Sequence, residues 1–334
     1  MIDAAIIGLG WWGRTIVQTM AGSQHLRIVA GADLDPAASV FAAQHGLRFL
    51  SGLDAALADP AVQAVILCTP HTQHAAQIQQ AAGAGKHVFC EKPLCLTRVD
   101  AVAAIAACDA SGVVLGVGHE RRFEPPIAAL RQLVADGTLG SLLQIEANFS
   151  QDKFLSLPAD NWRLSGKEAP AGPMTATGIH LLDLCCSFLG PADSVLASVA
   201  RLGSGLANGD TLGAMVRFRS GAHGLISAIL ATPFDGRFAV YGSRGWAEVR
   251  DKAHPEKSEG WTMTKVIRGQ AREVVEFPPA PAVRSNLEAF AVAAAGGPAY
   301  PVPHEQMLAT IAALEAIVRS AASGQQQSVE GTSP

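Results

Sequence analysis

The sequence predicts an α/β chain with a doubly wound parallel sheet in its N-terminal part and a C-terminal α+β domain carrying a large, mainly antiparallel open sheet. Strand-like and helix-like segments alternate up to about residue 117, as a parallel sheet with helical crossovers requires. The strand segments there are continuous apolar runs, the mark of strands covered on both faces. From about residue 121 the alternation stops, and longer strand segments follow one another.

The first strand is expected at residues 4–8, ending in glycine, and a helix at 12–21. The next strand, 26–32, runs into Asp33. Asp35-Pro36 opens a helix that extends to about 45, with proline in its first turn. Ser51 starts a short helix that Pro60 stops. A Val- and Ile-rich strand covers 62–68, a helix over 72–84 ends at Gly85, and 87–90 is a strand. Thr97 caps an Ala-rich helix that runs to 111 and closes at Gly112, and 113–117 is the last strand of this part. Beyond it, 125–136 reads as a helix broken by Gly137 and Gly140, and 142–149 as a strand. Further strands are expected at 194–201, 211–219, 224–232, 237–241, 246–250 and 273–277, with Ser220-Gly221 as a hairpin turn. Residues 286–295 and 305–322 read as helices. The expected domains are therefore 1–120 and 121–322, the C-terminal helix being a candidate to pack back on the first. The polar tail, 323–334, is expected to be disordered.

Apolar residues make up 49% of the chain and charged residues 16%, with a net charge of -4 and no block of like charges. This leaves no electrostatic footprint for nucleic acid or an anionic membrane. No apolar run approaches the length of a membrane span, and Asp3 sits where a signal peptide would carry a base. A cytoplasmic protein is expected. Six cysteines without a C-x-x-C pair read as reduced thiols rather than as a disulfide framework or zinc site.

Gly8-Leu9-Gly10-Trp11-Trp12-Gly13 is G-x-G-x-x-G, placed between the first strand and the first helix. In that context it is a Rossmann dinucleotide site. Gly8 permits the tight turn, Gly10 lets a pyrophosphate approach the backbone, and Gly13 lets helix and strand pack closely. Asp33, 20 residues after Gly13, would accept hydrogen bonds from the ribose hydroxyls and repel a 2′-phosphate. Leu34 and Asp35 follow it in place of a basic residue, so NAD is favoured over NADP. Thr69-Pro70-His71-Thr72-Gln73-His74 and Glu91-Lys92-Pro93 each follow a strand and would reach the nicotinamide end. His71 and His74 lack a third ligand at sensible spacing. They are read as helix-capping and cofactor-contacting residues, with no metal.

Taken with Arg122-Phe123, Trp162-Arg163 and Gly178-Ile179-His180 followed by Asp183, these motifs resemble the Gfo/Idh/MocA family, named for glucose-fructose oxidoreductase and inositol dehydrogenase. The resemblance covers residues 2–322. It implies that Lys92 is a catalytic or substrate-orienting residue, that the Lys92–Pro93 bond is a candidate cis peptide, and that His180 is the proton acceptor. It also implies dimers or tetramers built through the C-terminal sheet. One departure stands out. The family's D-x-G-x-H places its carboxylate where this chain has Ala176, with Thr175, Thr177 and Glu120 as candidate substitutes.

Oxidising a secondary alcohol removes a hydride and a proton. His180 suits the proton, and the Lys92 ammonium suits the developing alkoxide. Arg122, Trp162, Arg163, Thr177 and Asp183 are candidate substrate-side residues, and Phe149, Lys153 and Phe154 lie in the segment that could line it. Asp183 shares a helical face with His180. The run 225–231 has no clearly polar face, so both of its faces are expected to be covered, one by a neighbouring subunit. The expected function is NAD-dependent hydride transfer to or from a small cyclic polyol, sugar or dihydrodiol. The alternatives are an NAD-dependent glycosidase using transient redox chemistry and a non-catalytic dinucleotide sensor or repressor.

Overall fold

In the computed structural model, which describes residues 1–329, the chain divides into two compact units. One comprises Met1–Glu120 with Ala282–Met307; the other comprises Arg121–Pro281 and the chain from Leu308 onward.

The first unit runs β1 (Ile2–Ile7), α1 (Trp11–Thr19), β2 (Leu26–Ala32), α2 (Ala38–Gln44), β3 (Arg48–Leu50), α3 (Leu53–Ala58), β4 (Ala64–Leu67), α4 (His74–Gly83), β5 (His87–Cys90), α5 (Arg98–Ser111) and β6 (Leu115–Val117). The six strands form a parallel sheet in the order β3-β2-β1-β4-β5-β6, the doubly wound arrangement whose ligand crevice opens at the carboxyl end of β1. All four residues of β4 are buried, as a central strand with helices on both faces requires. The Thr97 side chain caps α5 by accepting the Asp100 N–H, and Gly112 ends the helix in the left-handed region at φ 64°. The strand β3 has no apolar signature, since Arg48 and Phe49 are exposed, and the sequence pattern gives it no bounds.

The second unit runs α6 (Pro125–Ala135), β7 (Leu142–Ser150), α7 (Ile179–Leu189), β8 (Ala192–Ala200), β9 (Thr211–Phe218), β10 (His223–Ile229), β11 (Asp235–Gly242), β12 (Gly245–Asp251), β13 (Trp261–Ile267) and β14 (Glu273–Phe277). The chain continues with α8 (Ala282–Ala294), α9 (His304–Ser323) and β15 (Gln327–Ser328). Nine strands form one sheet, β14-β13-β12-β11-β7-β10-β9-β8-β15. Every pairing is antiparallel except β7 with β10. The strand β13 is absent from the sequence reading, although Trp261, Met263 and the partly covered residues between them alternate as a one-sided strand does.

The structure differs from the sequence reading in three further places. Residues 282–307, expected in the second domain, belong to the first unit, so α8 and the first residues of α9, His304–Met307, fold back onto it. Leu287, Phe290 and Ala291 of α8 are buried in one cluster with Ile6, Phe89 and Leu26, and Phe290 meets Phe89 edge-on at 5.6 Å. The expected disorder does not extend to Gln327–Ser328, which pair with β8; residues 330–334 lie outside the described residues. The run 225–231 also alternates between buried and open positions. Ile226 and Ala228 are buried whereas Leu225 is 39% exposed, so within the chain only one face of β10 is covered.

Candidate active site

The first turn of the first unit is shaped by backbone collisions. Gly8 has φ 97°, and a Cβ there would sit 2.6 Å from the Cys68 carbonyl oxygen. A Cβ on Gly13 would strike the Gly8 carbonyl oxygen, so β1 and α1 approach as closely as two backbones can. Gly10 is different, because a Cβ there would meet no atom of the described residues within 4 Å. The space beside it lies at the N-terminus of α1, where N–H groups and the helix dipole favour an anion. Arg14 is the first residue of this stretch to close a helical bond, onto the Gly10 carbonyl, at 3.0 Å. The open cradle fits a dinucleotide pyrophosphate.

Asp33 stands at the end of β2. Its Oδ2 accepts the Leu9 N–H at 2.6 Å, and its Oδ1 accepts the Asp35 N–H at 2.9 Å. The carboxylate therefore holds the glycine turn. Trp11 is 51% exposed, whereas Trp12 packs against the core with its indole nitrogen buried. Of the two, only Trp11 offers an open ring.

His74 is fully buried and spans two loops. Its Nδ1 lies 2.8 Å from the Pro93 carbonyl oxygen and its Nε2 lies 3.0 Å from that of Thr69. His71 packs its ring at 5.7 Å from that of His74. Neither imidazole caps a helix, contrary to expectation, since α4 has no side-chain cap. The Thr69 hydroxyl donates to Gln77 Oε1 at 2.6 Å, and Pro70 precedes the short 3-10 turn that starts at His71. Glu91 is buried, accepts the Lys92 N–H at 3.2 Å, and lies where a Cβ on Gly118 would need to be. Lys92 itself is half-buried, and the Lys92–Pro93 peptide is cis.

In the second unit, a π-helical segment, Met174–Gly178, leads directly into α7; such segments recur at functional sites. It sets His180 in the first turn of α7, only 6% exposed, with the Phe149 ring centroid 6.1 Å from its own. Asp183, one turn on, accepts a bidentate pair from Arg122 at 2.6 and 2.7 Å, and the Thr310 hydroxyl approaches at 3.3 Å. Arg122 is thus committed to a carboxylate, and Asp183 anchors the helix that presents His180.

Ala176 is partly exposed, and its threonine neighbours do not replace the missing carboxylate. Thr177 donates to the Phe149 carbonyl oxygen at 2.8 Å, Thr175 donates to that of Gly172 at 3.2 Å, and both are buried. Arg163 lies over the Trp162 ring at 4.2 Å, and both are half-buried. Arg121 is fully buried, bonded to Asp251 at 2.6 and 2.7 Å and to Glu124 at 3.1 Å. Its guanidinium covers the Phe149 ring at 5.3 Å. Glu120 ends the first unit.

Two residues near His180 carry no sequence signal. Gln151, just past β7, accepts from His254 Nε2 at 2.7 Å, and the His254 ring centroid lies 5.8 Å from that of Phe149. Burial, then the charges of Lys153 and Arg121, pull the His254 pKa from 6.5 down to about 4. Nothing local in the sequence joins positions 151 and 254.

None of the six cysteines forms a disulfide. Burial pushes the Cys95, Cys108 and Cys186 thiols up to about 12, far from the reactive range. Among the described residues no helix is long and apolar enough to cross a membrane, and no group of three His, Cys, Asp or Glu could hold a metal ion.

Two family descriptions match the chain: "Oxidoreductase family, NAD-binding Rossmann fold" over residues 2–119, and "GFO/IDH/MocA C-terminal domain" over residues 127–248. An uncharacterised oxidoreductase of Bacillus subtilis, YrbE, is 30% identical over 80% of this chain and 79% of its own. Inositol 2-dehydrogenase of Rhizobium meliloti is 28% identical over 97% and 98%. The crystal structure of aldose-aldose oxidoreductase from Caulobacter crescentus superposes with a TM-score of 0.86 at 27% identity, over 98% of this chain and 99% of that one. The glycine cradle, the doubly wound sheet, the nine-stranded second sheet and these matches together place the chain in the Gfo/Idh/MocA family of NAD(P)-dependent oxidoreductases.

Proposed function

We propose that the protein is an NAD-dependent dehydrogenase acting on a secondary hydroxyl, or the corresponding carbonyl, of a small cyclic polyol, sugar or dihydrodiol. The observation that carries this reading is the cradle of residues 8–13, whose middle glycine leaves room that no atom of the described residues uses, with the Asp33 carboxylate at the end of the neighbouring strand. Bound NAD supplies the hydride acceptor. The chain's own residues handle the proton and the charge. His180, buried in the first turn of α7, accepts the hydroxyl proton. The Lys92 ammonium donates to a substrate oxygen and offsets negative charge as it develops there. Glu91 and His74 hold the loop of Lys92, and Arg122 with Asp183 holds the turn of His180. Trp11 and the Thr69-Pro70 loop contact the cofactor, and Trp162 with Arg163 flanks the substrate.

The ring-polyol class is supported by the inositol and aldose enzymes among the relatives. Asp33 followed by Leu34 and Asp35 supports NAD as the main cofactor. Six cysteines outside any disulfide accord with the cytoplasm. The open face of β8, β9 and β10 supports a homodimer or homotetramer through the second sheet. The test is a panel of inositols, aldoses, anhydrosugars and dihydrodiols with NAD and NADP, following the absorbance of reduced cofactor. Reduction of NAD by at least one ring polyol or sugar is expected. No cofactor reduction with any of them, in either direction, removes the reading.

A further inference from the structure

The polar residues at the end of β7 form a relay whose last member has donors to spare. Lys153 Nζ lies 3.1 Å from His254 Nδ1 and 2.5 Å from Glu256 Oε2. An ammonium can only donate, so His254 Nδ1 must be the unprotonated nitrogen. The Glu256 backbone N–H also points at Nδ1, at 3.3 Å. The imidazole proton therefore sits on Nε2 and is donated to Gln151 Oε1 at 2.7 Å. That bond fixes which end of the carboxamide is oxygen, and it leaves the amide NH2 pointing the other way. Gln151 is 7% exposed, and among the described residues its amide nitrogen has no protein acceptor. Two donors are thus held in a fixed direction on a residue that is nearly buried while its amide nitrogen stays within reach of an acceptor from outside.

The surroundings say what that is. Gln151 is tied to the neighbourhood of Phe149 by His254, whose Nε2 it holds and whose ring lies beside that of Phe149, and the Phe149 ring also meets that of His180. Phe234 meets Phe149 edge-on at 6.1 Å and His254 at 5.4 Å. The π-helical segment is joined to the same place by the bond from Thr177 to the Phe149 carbonyl oxygen, but it contributes no free polar side chain there. Phe149 itself is buried, with the Arg121 guanidinium over its ring, so half-buried Phe234 is the aromatic surface left beside the amide; the pair suits a ring carrying hydroxyl groups, its C–H face on Phe234 and an oxygen lone pair on the amide. His254, held neutral by burial and by the nearby cations, keeps the relay in this single tautomer through the neutral range.

We propose that Gln151 binds a ring hydroxyl of the substrate through its amide NH2, and that His254 and Lys153 are positioning residues that hold the amide in that orientation. This rests on the reading of the protein as a polyol or sugar dehydrogenase. The experiment uses the full chain, loaded with NADH and labelled with 15N-glutamine. The side-chain amide peaks of Gln151 are those lost in Gln151→Leu. Addition of myo-inositol, levoglucosan or glucose should shift that pair for at least one of them. For the compound that is also turned over, Gln151→Leu and His254→Leu should raise KM by about tenfold, with kcat within about threefold of the parent. His254→Gln, which can still donate to Gln151 Oε1, should keep the parent KM. If none of the compounds moves the amide pair, the proposal fails whether or not turnover is seen. If the pair moves and no turnover is seen, the dehydrogenase reading fails and the binding site stands. If His254→Gln raises KM as much as His254→Leu does, the tautomer relay is wrong.

Discussion

The loop that carries Lys92 is braced on both sides. His74 reaches the Pro93 carbonyl oxygen, and the Glu91 carboxylate takes up the N–H of Lys92 itself. A side chain held this way can be removed without moving the glycine cradle. Lys92→Ala should therefore lower kcat by roughly a hundredfold or more while NAD affinity, read by fluorescence titration, stays near the parent value. A kcat close to the parent's would leave the ammonium without a role in the chemistry. His254 gives a second residue-scale outcome, in stability. Its pKa in the fold is about 4, against 6.5 when unburied, so the unfolded chain takes up the proton first as pH falls. The contribution of His254 is present in full above pH 6.5 and is lost between there and about pH 4. The stability difference between the parent and His254→Gln, measured by urea unfolding, should shrink across that window and level off on either side. The other histidines titrate alike in both proteins and cancel, so a flat difference would refute the assignment. These residues also mark what was legible. The cradle and the Lys92 and His180 motifs are short contiguous strings, and their chemistry is local. Gln151 and His254 are 103 positions apart, and only the pairing of β7, β11 and β12 brings them together.

At the scale of elements, legibility follows how much of the signal is carried within the element. The helix α5 was readable at both ends because Thr97 and Gly112 act on their own backbone. The strand β3 and the tail strand β15 were not, because each is a few residues long and is held by a neighbour rather than by its own apolar pattern. The placement of α8 was likewise invisible. Its sequence shows an amphipathic helix but not which sheet it covers. The receiving surface explains it: a Cβ on Gly116 would come within 2.9 Å of both Phe89 and Phe290, so the glycine of β6 makes the seat for the Phe290 ring. Asn286 and Tyr300 complete the contact. The Asn286 amide donates to the Val117 carbonyl oxygen at 2.9 Å, and the Tyr300 hydroxyl donates to Asn286 Oδ1 at 2.6 Å. Phe290→Ala should cost about 3–5 kcal/mol of unfolding free energy, the range for a fully buried phenylalanine. A loss under about 1 kcal/mol by chemical denaturation would mean that α8 is only loosely seated on this sheet.

At the scale of the whole molecule, the second sheet leaves a row of apolar side chains open. Leu196 pairs across to Met215, and Met215 to Leu225, so the three apolar side chains stand side by side on β8, β9 and β10. They are 43%, 43% and 39% exposed. Single exposed apolar residues are ordinary on a protein surface, but three in one cross-strand row are not, particularly with Arg217 and His223 at their edge in the polar rim expected around an interface. The modest net charge of -4 offers little repulsion against self-association. A second copy of the same sheet would bury the row, and by two-fold symmetry each Met215 would then face its own equivalent region. Glutamate at this position would bring two carboxylates out of water in such an interface, and it would be solvated and harmless on a free surface. By light scattering, Met215→Glu should therefore give a single-chain mass where the parent gives a multiple of it, with far-UV circular dichroism unchanged. If the parent is already a single chain, or if the variant keeps the parent's mass, the row is not the contact.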